Sequence, residues 1–182
     1  MTKTQEHAGR HERISAFDAV VPVSVIPRAG LQVTFTASAQ ELDRLKDDLG
    51  LARADAVSAE LEIRHWRKGG VVVSGRVQAE LSQVCVVTLE PVQARVDEDV
   101  LLRFVPEETL EEASASVAES EAEDLEVLPD GVVQVGAIVR DTVVLALDPY
   151  PRAPGAELPD AARDDDATAS PFSVLEKLKP GR

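Results

Sequence analysis

GVVVSGRVQAELSQVCVVTLEPVQARVDEDV, Gly70 to Val100, decides the fold, because it holds two long runs of period two joined at a corner. In the first run Val71, Val73, Val77, Ala79 and Leu81 share one face and Arg76, Gln78 and Glu80 the other, the alternation of a half-buried strand. In the second, Val92, Ala94 and Val96 alternate with Gln93, Arg95 and Asp97. This second run begins after Glu90-Pro91, which with Thr88 reads as the turn between the two strands.

Upstream the same period runs through Val57, Ala59, Leu61 and Ile63 against Ser58, Glu60, Glu62 and Arg64, and Lys68-Gly69-Gly70 supplies a hairpin turn. Three successive antiparallel strands make a meander whose apolar face needs a second layer. Ser38 and Glu41 stand at capping-box spacing, where each side chain can satisfy an orphan N–H of the first turn. AQELDRLKDDLG then reads as a helix with Leu42, Leu45 and Leu49 on one face and Gly50 placed to end it. Before it, Leu31, Val33 and Phe35 alternate in LQVTFTA, and VVPVSVI, Val20 to Ile26, is an edge-strand run carrying Pro22. The two are expected to pair as a hairpin around Pro27 to Gly30.

Downstream the composition changes. Between Arg103 and Arg140 there is no Lys or Arg but ten acids, so subtracting -10 from the net charge of -14 leaves -4 for the rest. Residues 107–130 have few large apolar groups to offset ordering entropy and are expected to be an acidic flexible loop. VVQVGAIVRDTVVLALDPYPR, Val132 to Arg152, fits both a strand, by its β-branched richness, and a helix, by the stripe Val135, Ile138, Val139, Thr142, Val143, Ala146. Residues 153–169 have linker composition. Ser170-Pro171 then offers an N-cap and N1 proline to a short amphipathic helix, 170–182, with Phe172, Leu175 and Leu178 on one face as a partner-helix candidate. At the other end, residues 1–13 are polar and aperiodic and are expected to be a disordered tail.

The expected fold is therefore α+β: an antiparallel sheet curling into an open barrel, covered by a few helices, with a disordered acidic loop. Residues 14–106 carry the sheet and one helix. Six aromatic residues leave a core of Val, Leu, Ile and Ala and few platforms for stacking bases. A single cysteine builds no disulfide framework. The N-terminal residues lack the apolar run of a signal peptide and no window approaches about 18 apolar residues, so a cytoplasmic protein without a membrane partner is expected.

The succession of GRVQAELSQVCVVTLEPVQARVDEDV, an acidic insertion, LALDPYPR and a terminal SPFSVLEKLK resembles the YceD family, the large ribosomal RNA subunit accumulation proteins, in its alphaproteobacterial form. The resemblance covers about 14–182 apart from the acidic loop. It implies a ribosome-biogenesis factor needed for accumulation of large-subunit ribosomal RNA, with no established enzymatic activity, and it tips 131–152 toward a helix packing on the sheet. Many relatives carry CxRCL where this chain has Cys85-Val86-Val87-Thr88-Leu89, and a later cysteine cluster near Tyr150 to Gly155. With those extra thiols gone, a four-thiolate zinc site cannot be assembled, and no metal or cofactor is expected.

Cys85, Thr88, Leu89, Glu90 and Pro91 form the family-motif corner. There Cys85, flanked by valines, reads as a small core or semi-buried hydrophobe; the corner itself reads as turn chemistry between two strands, with Glu90 the expected polar contact if it binds something. The RNA-binding candidates are Arg64, Trp66, Arg67 and Lys68 at the hairpin tip with Arg76 on the returning strand, cations and an indole able to hold phosphates and stack a base. The competing expectation is a solvated hairpin end. His7, His11 and His65 have no nucleophile partner, metal-ligand spacing or phosphate-cradling loop nearby, so no catalytic residue is assigned. The function expected is support of large-subunit ribosomal RNA accumulation or processing. The alternative is a protein-interaction adaptor or holding chaperone for a basic ribosomal protein, without direct RNA contact. Neither reading specifies an oligomeric state.

Overall fold

The computed structural model describes residues 10–67, 69–111 and 125–157. The meander forms as the alternation predicts. Strands β4 (Arg53–Trp66), β5 (Gly70–Val84) and β6 (Pro91–Val105) pair antiparallel, with Val57 opposite Ala79 and Ala79 opposite Val96. All five apolar positions of the β5 run are buried, as are Val57, Ala59, Leu61 and Ile63. Gly75 falls on this core face, and its φ of 151° and the approach of the Glu60 carbonyl exclude a side chain there.

Strand β3 (Leu31–Thr36) adds antiparallel to β4 and buries Leu31, Val33 and Phe35. It does not pair with Val20 to Ile26 as the hairpin expectation had it. Only Val21–Pro22 is extended there, as β2, and it pairs antiparallel with β8 (Val132–Val133), while Val23–Val25 forms a 3-10 turn. The proline at β2 and the valine pair before the second helix thus close a two-stranded sheet remote in sequence, which no local turn signal announces.

The free edge of β3 is taken by β1 (Arg10–Ile14), in parallel. The tail expected over 1–13 is therefore structured from Arg10. At the opposite edge β7 (Leu125–Val127) pairs in parallel with β6, so the C-terminal part of the acidic 107–130 segment is a strand, followed by the buried Leu128. Glu107–Thr109 is a 3-10 turn. The six strands run β1-β3-β4-β5-β6-β7, and β1 and β7 do not pair, so the sheet is mixed at its two edges, antiparallel between them, and no closed barrel forms.

Helix α1 (Ala39–Leu49) begins and ends where expected. Ser38 Oγ accepts from the Glu41 amide at 3.3 Å, and Gly50, at φ 61°, closes a Schellman motif in which the Leu51 amide donates to the Lys46 carbonyl at 2.9 Å. Only half of the capping box forms: Glu41 faces Arg44 at 3.8 Å, and its Oε2 is buried without a hydrogen-bond partner among the described residues. Helix α2 (Val135–Ala146) resolves the ambiguous valine-rich segment as a helix and buries Val135, Ile138, Val139 and Val143. Its Gly136 lets the backbone touch the 16–19 segment, with the Gly136 amide donating to Ala19 O at 3.0 Å. One core joins the sheet's inner face to Leu45, Phe17, Ile26 and the α2 stripe, with Phe17 and Phe35 stacked at 5.3 Å. Among the described residues, no helix is long and apolar enough to cross a membrane. The linker and terminal helix expected at 153–169 and 170–182 lie outside the described residues from 158 onward.

Candidate functional site

The hairpin tip is tight, with Arg67 (φ 45°) and Gly69 (φ 81°) both left-handed and the Gly69 amide donating to Arg67 O at 2.9 Å. The Arg67 guanidinium stacks over the Trp66 ring, 4.8 Å from its centroid. Arg64 Nε lies 2.9 Å from Glu62, and His65 Nε2 is 3.0 Å from the carbonyl of Ile26. Lys68 lies outside the described residues. Arg76 is not part of this group. It sits opposite Glu60 on β4, six rungs from the turn or roughly 20 Å at strand rise. Its Nε donates to Asp99 at 2.9 Å, with Asp97 at 3.5 Å. That hydrogen bond, and then the charges of Asp97 and Asp99, raise the guanidinium further above its ordinary value, and Arg76 in turn lowers Asp99. The described candidates Arg64, Trp66, Arg67 and Arg76 therefore do not converge into one basic patch, and the meander register, which puts Arg76 against Asp99, is the signal that foretells this.

The corner is built by two segments distant in sequence. Within the first, the Cys85 amide donates to Glu90 O at 2.8 Å, the Leu89 amide to Cys85 O at 3.0 Å and the Glu90 amide to Thr88 Oγ1 at 3.4 Å, and Pro91 then opens β6. The second arrives from α2: the Val86 amide donates to Pro151 O at 2.9 Å, and Gln83 Nε2 to Asp148 O at 2.8 Å. The two stretches that the resemblance singles out thus meet.

Cys85 is buried, as expected, but outside the main apolar core and as a hydrogen-bond acceptor. Its sulfur takes the amides of Ala153 at 3.2 Å, Thr88 at 3.3 Å and Val87 at 3.4 Å. The Thr88 side chain, then the Ala153 and Thr88 amides, hold the thiol well below its usual range, while burial works the other way. Four apolar residues surround the motif on the outside: Leu89 and Tyr150, 76% and 72% exposed, with Val84 and Val86. Leu89 is held at φ 61°, a conformation a leucine adopts only when its surroundings impose it. Tyr150 and Arg152, which sequence reasoning quoted but gave no role, belong to this surface. Between the corner and α2 lies a shallow cleft of about 210 Å³ whose lining includes Gln83, Gln93, Arg95, Asp148 and Arg152. Phe172, Leu175 and Leu178 lie outside the described residues.

Among the described residues, no three His, Cys, Asp or Glu side chains gather in a way that could hold a metal ion. No curated protein and no solved structure matches the chain. The family model described as large ribosomal RNA subunit accumulation protein YceD matches residues 73–179, a span that holds most of β5, the corner, β6 and α2. With more than half of its length matched, and both segments of its corner inside the match, the chain belongs to the YceD family, whose name ties it to accumulation of large-subunit ribosomal RNA.

Proposed function

We propose that this protein is a non-enzymatic, cytoplasmic ribosome-biogenesis factor that supports the accumulation or processing of large-subunit ribosomal RNA. The observation that carries this is the family match over 73–179. Its non-enzymatic character is supported by His65, which is engaged with a main-chain carbonyl at 3.0 Å rather than aimed at a nucleophile. Depleting the protein from its cells and measuring large- against small-subunit ribosomal RNA tests the role. A selective fall of the large-subunit species is expected, and an unchanged ratio overturns it. Purified protein incubated with ribosomal RNA and divalent metal is expected to leave the RNA intact.

A second reading, an adaptor or holding chaperone for a basic ribosomal protein, is favoured by the exposed Leu89 and Tyr150, since a projecting leucine and tyrosine suit a protein interface. Affinity capture with and without RNase separates the two. A protein partner retained after RNase, and lost on Leu89→Ala with Tyr150→Ala, supports the adaptor; a partner lost with the RNA removes it.

A further inference from the structure

Strand β1 creates a surface that no sequence pattern announces. Arg13 lies opposite Thr34, and His11 opposite Gln32, on the sheet face turned away from the core. His11, Arg13, Ser15, Thr34 and Thr36, with Ile14, line a hollow of about 390 Å³ to which no carboxylate among the described residues contributes. This is unusual on a chain with 33 acidic residues and a net charge of -14. Arg44, Arg53, Arg64, Arg76, Arg95 and Arg140 all lie within 4.0 Å of carboxylates. Arg13 makes no such pair among the described residues, and no hydrogen bond there engages the hydroxyls of Ser15, Thr34 or Thr36. The carboxylates nearest by register on this face are Glu60, opposite Thr34, and Glu62, opposite Gln32 and turned to Arg64, both on the next strand and about 10 Å from β1 at ordinary strand spacing.

A guanidinium, an imidazole and three unengaged hydroxyls without a competing acid are the groups that proteins turn toward phosphate oxygens. The hollow lies beside an edge strand, open on one side, so a continuous chain can pass over it. We propose that this β1–β3 face binds the sugar–phosphate backbone of single-stranded RNA, Arg13 supplying the donor that neutralises charge and His11, Ser15, Thr34 and Thr36 further hydrogen bonds. This rests on the proposed role in ribosomal RNA accumulation and moves the RNA contact from the β4–β5 hairpin, where Arg64 and Arg76 already face carboxylates, to the N-terminal edge.

The test is fluorescence anisotropy of a fluorescein-labelled 20-nucleotide oligouridylate with the full chain at several salt concentrations. Arg13→Ala combined with His11→Ala is expected to weaken binding on the order of tenfold at low salt and to flatten the log–log salt slope by about 0.7 for each phosphate no longer neutralised. Glu60→Gln is expected to tighten binding, and Arg64→Ala and Arg76→Ala to change it less than twofold. His11 and Arg13 are exposed, so circular dichroism and melting should match the parent. Wild-type affinity in the Arg13/His11 variant overturns the proposal, as does loss of binding on changing Arg64 instead, which leaves an RNA contact standing elsewhere. Competition by uridine monophosphate as effective per phosphate as by the oligomer would overturn the backbone assignment. If the parent protein binds no RNA at low salt the patch falls, whereas the cellular ratio of ribosomal RNAs tests the broader role independently.

Discussion

The amide of Ala153 donates a 3.2 Å hydrogen bond to the sulfur of Cys85, across a separation of 68 residues. Together with the Val86 to Pro151 bond it ties the end of α2 to the β5–β6 corner, so the exposed Leu89 and Tyr150 are presented by one braced unit rather than by two independent loops. Sulfur serves here as the acceptor around which two turns close.

Cys85 is expected to show a pH signature. Its thiol is lowered from 9.0 to about 6, first by Thr88. A group whose folded value is depressed contributes stability that is full above the unfolded value and lost as pH falls through the folded one. Stability measured by urea unfolding should therefore rise between pH 6 and 9, and Cys85→Ala should flatten that rise; an equal slope in the variant refutes it.

The same cysteine, despite its low value, has no exposed surface. Alkylation by iodoacetamide should be slow in the native protein and rapid in urea. Fast native labelling would mean that the corner opens readily.

Gly136→Ala and Gly75→Ala should both destabilise, each by about 1–3 kcal/mol or more, because a methyl at Gly136 would sit 2.5 Å from the Ala16 and Phe17 carbonyl oxygens and one at Gly75 would strike the Glu60 carbonyl. Gly50→Ala, with no atom within 4 Å of the added methyl, tests conformation alone and should cost less. Thermal melts of the three separate crowding from φ.

In the core, Phe35→Ala should cost about 3–5 kcal/mol, since the ring is fully buried and stacked on Phe17. Ser38→Ala should cost about 1 kcal/mol through the lost cap on Glu41 N. Chemical denaturation gives both, and equal losses would contradict the assignment.

Arg76→Glu places a third acid beside Asp97 and Asp99 on neighbouring strands and is expected to lower stability by roughly 0.2–1 kcal/mol for each cross-strand repulsion, less in high salt. A salt-independent loss would point to backbone rearrangement instead.

Period and caps made the centre of the fold legible. Strands β3 to β6 alternate cleanly over long runs, and α1 carries both its Ser38 start and its Gly50 stop. The edges were illegible because their pairing is parallel and long-range, without a turn to advertise it. In β1 the half-buried Glu12 breaks the apolar alternation, and β7 is three residues at the end of an acid run. Helix α2 was ambiguous because valines satisfy both periods. At the site, the motif from Cys85 to Pro91 could be marked in sequence, but its donors could not, since backbone amides carry no sequence signal. Arg76 was grouped with the hairpin tip from its place on the returning strand, whereas the register sets it opposite Glu60 and Asp99.

Parallel pairing at β7 has a consequence for the acidic stretch. The chain leaves the sheet at Val105 and rejoins it at Leu125 beside Arg103, so both ends of the intervening segment are pinned to the same strand. Where both ends of a connection are fixed, adding residues between them costs little, about 0.6 kcal/mol for each doubling of its length. Its length and charge can therefore drift or be re-engineered as a cassette while the domain that carries it keeps its shape.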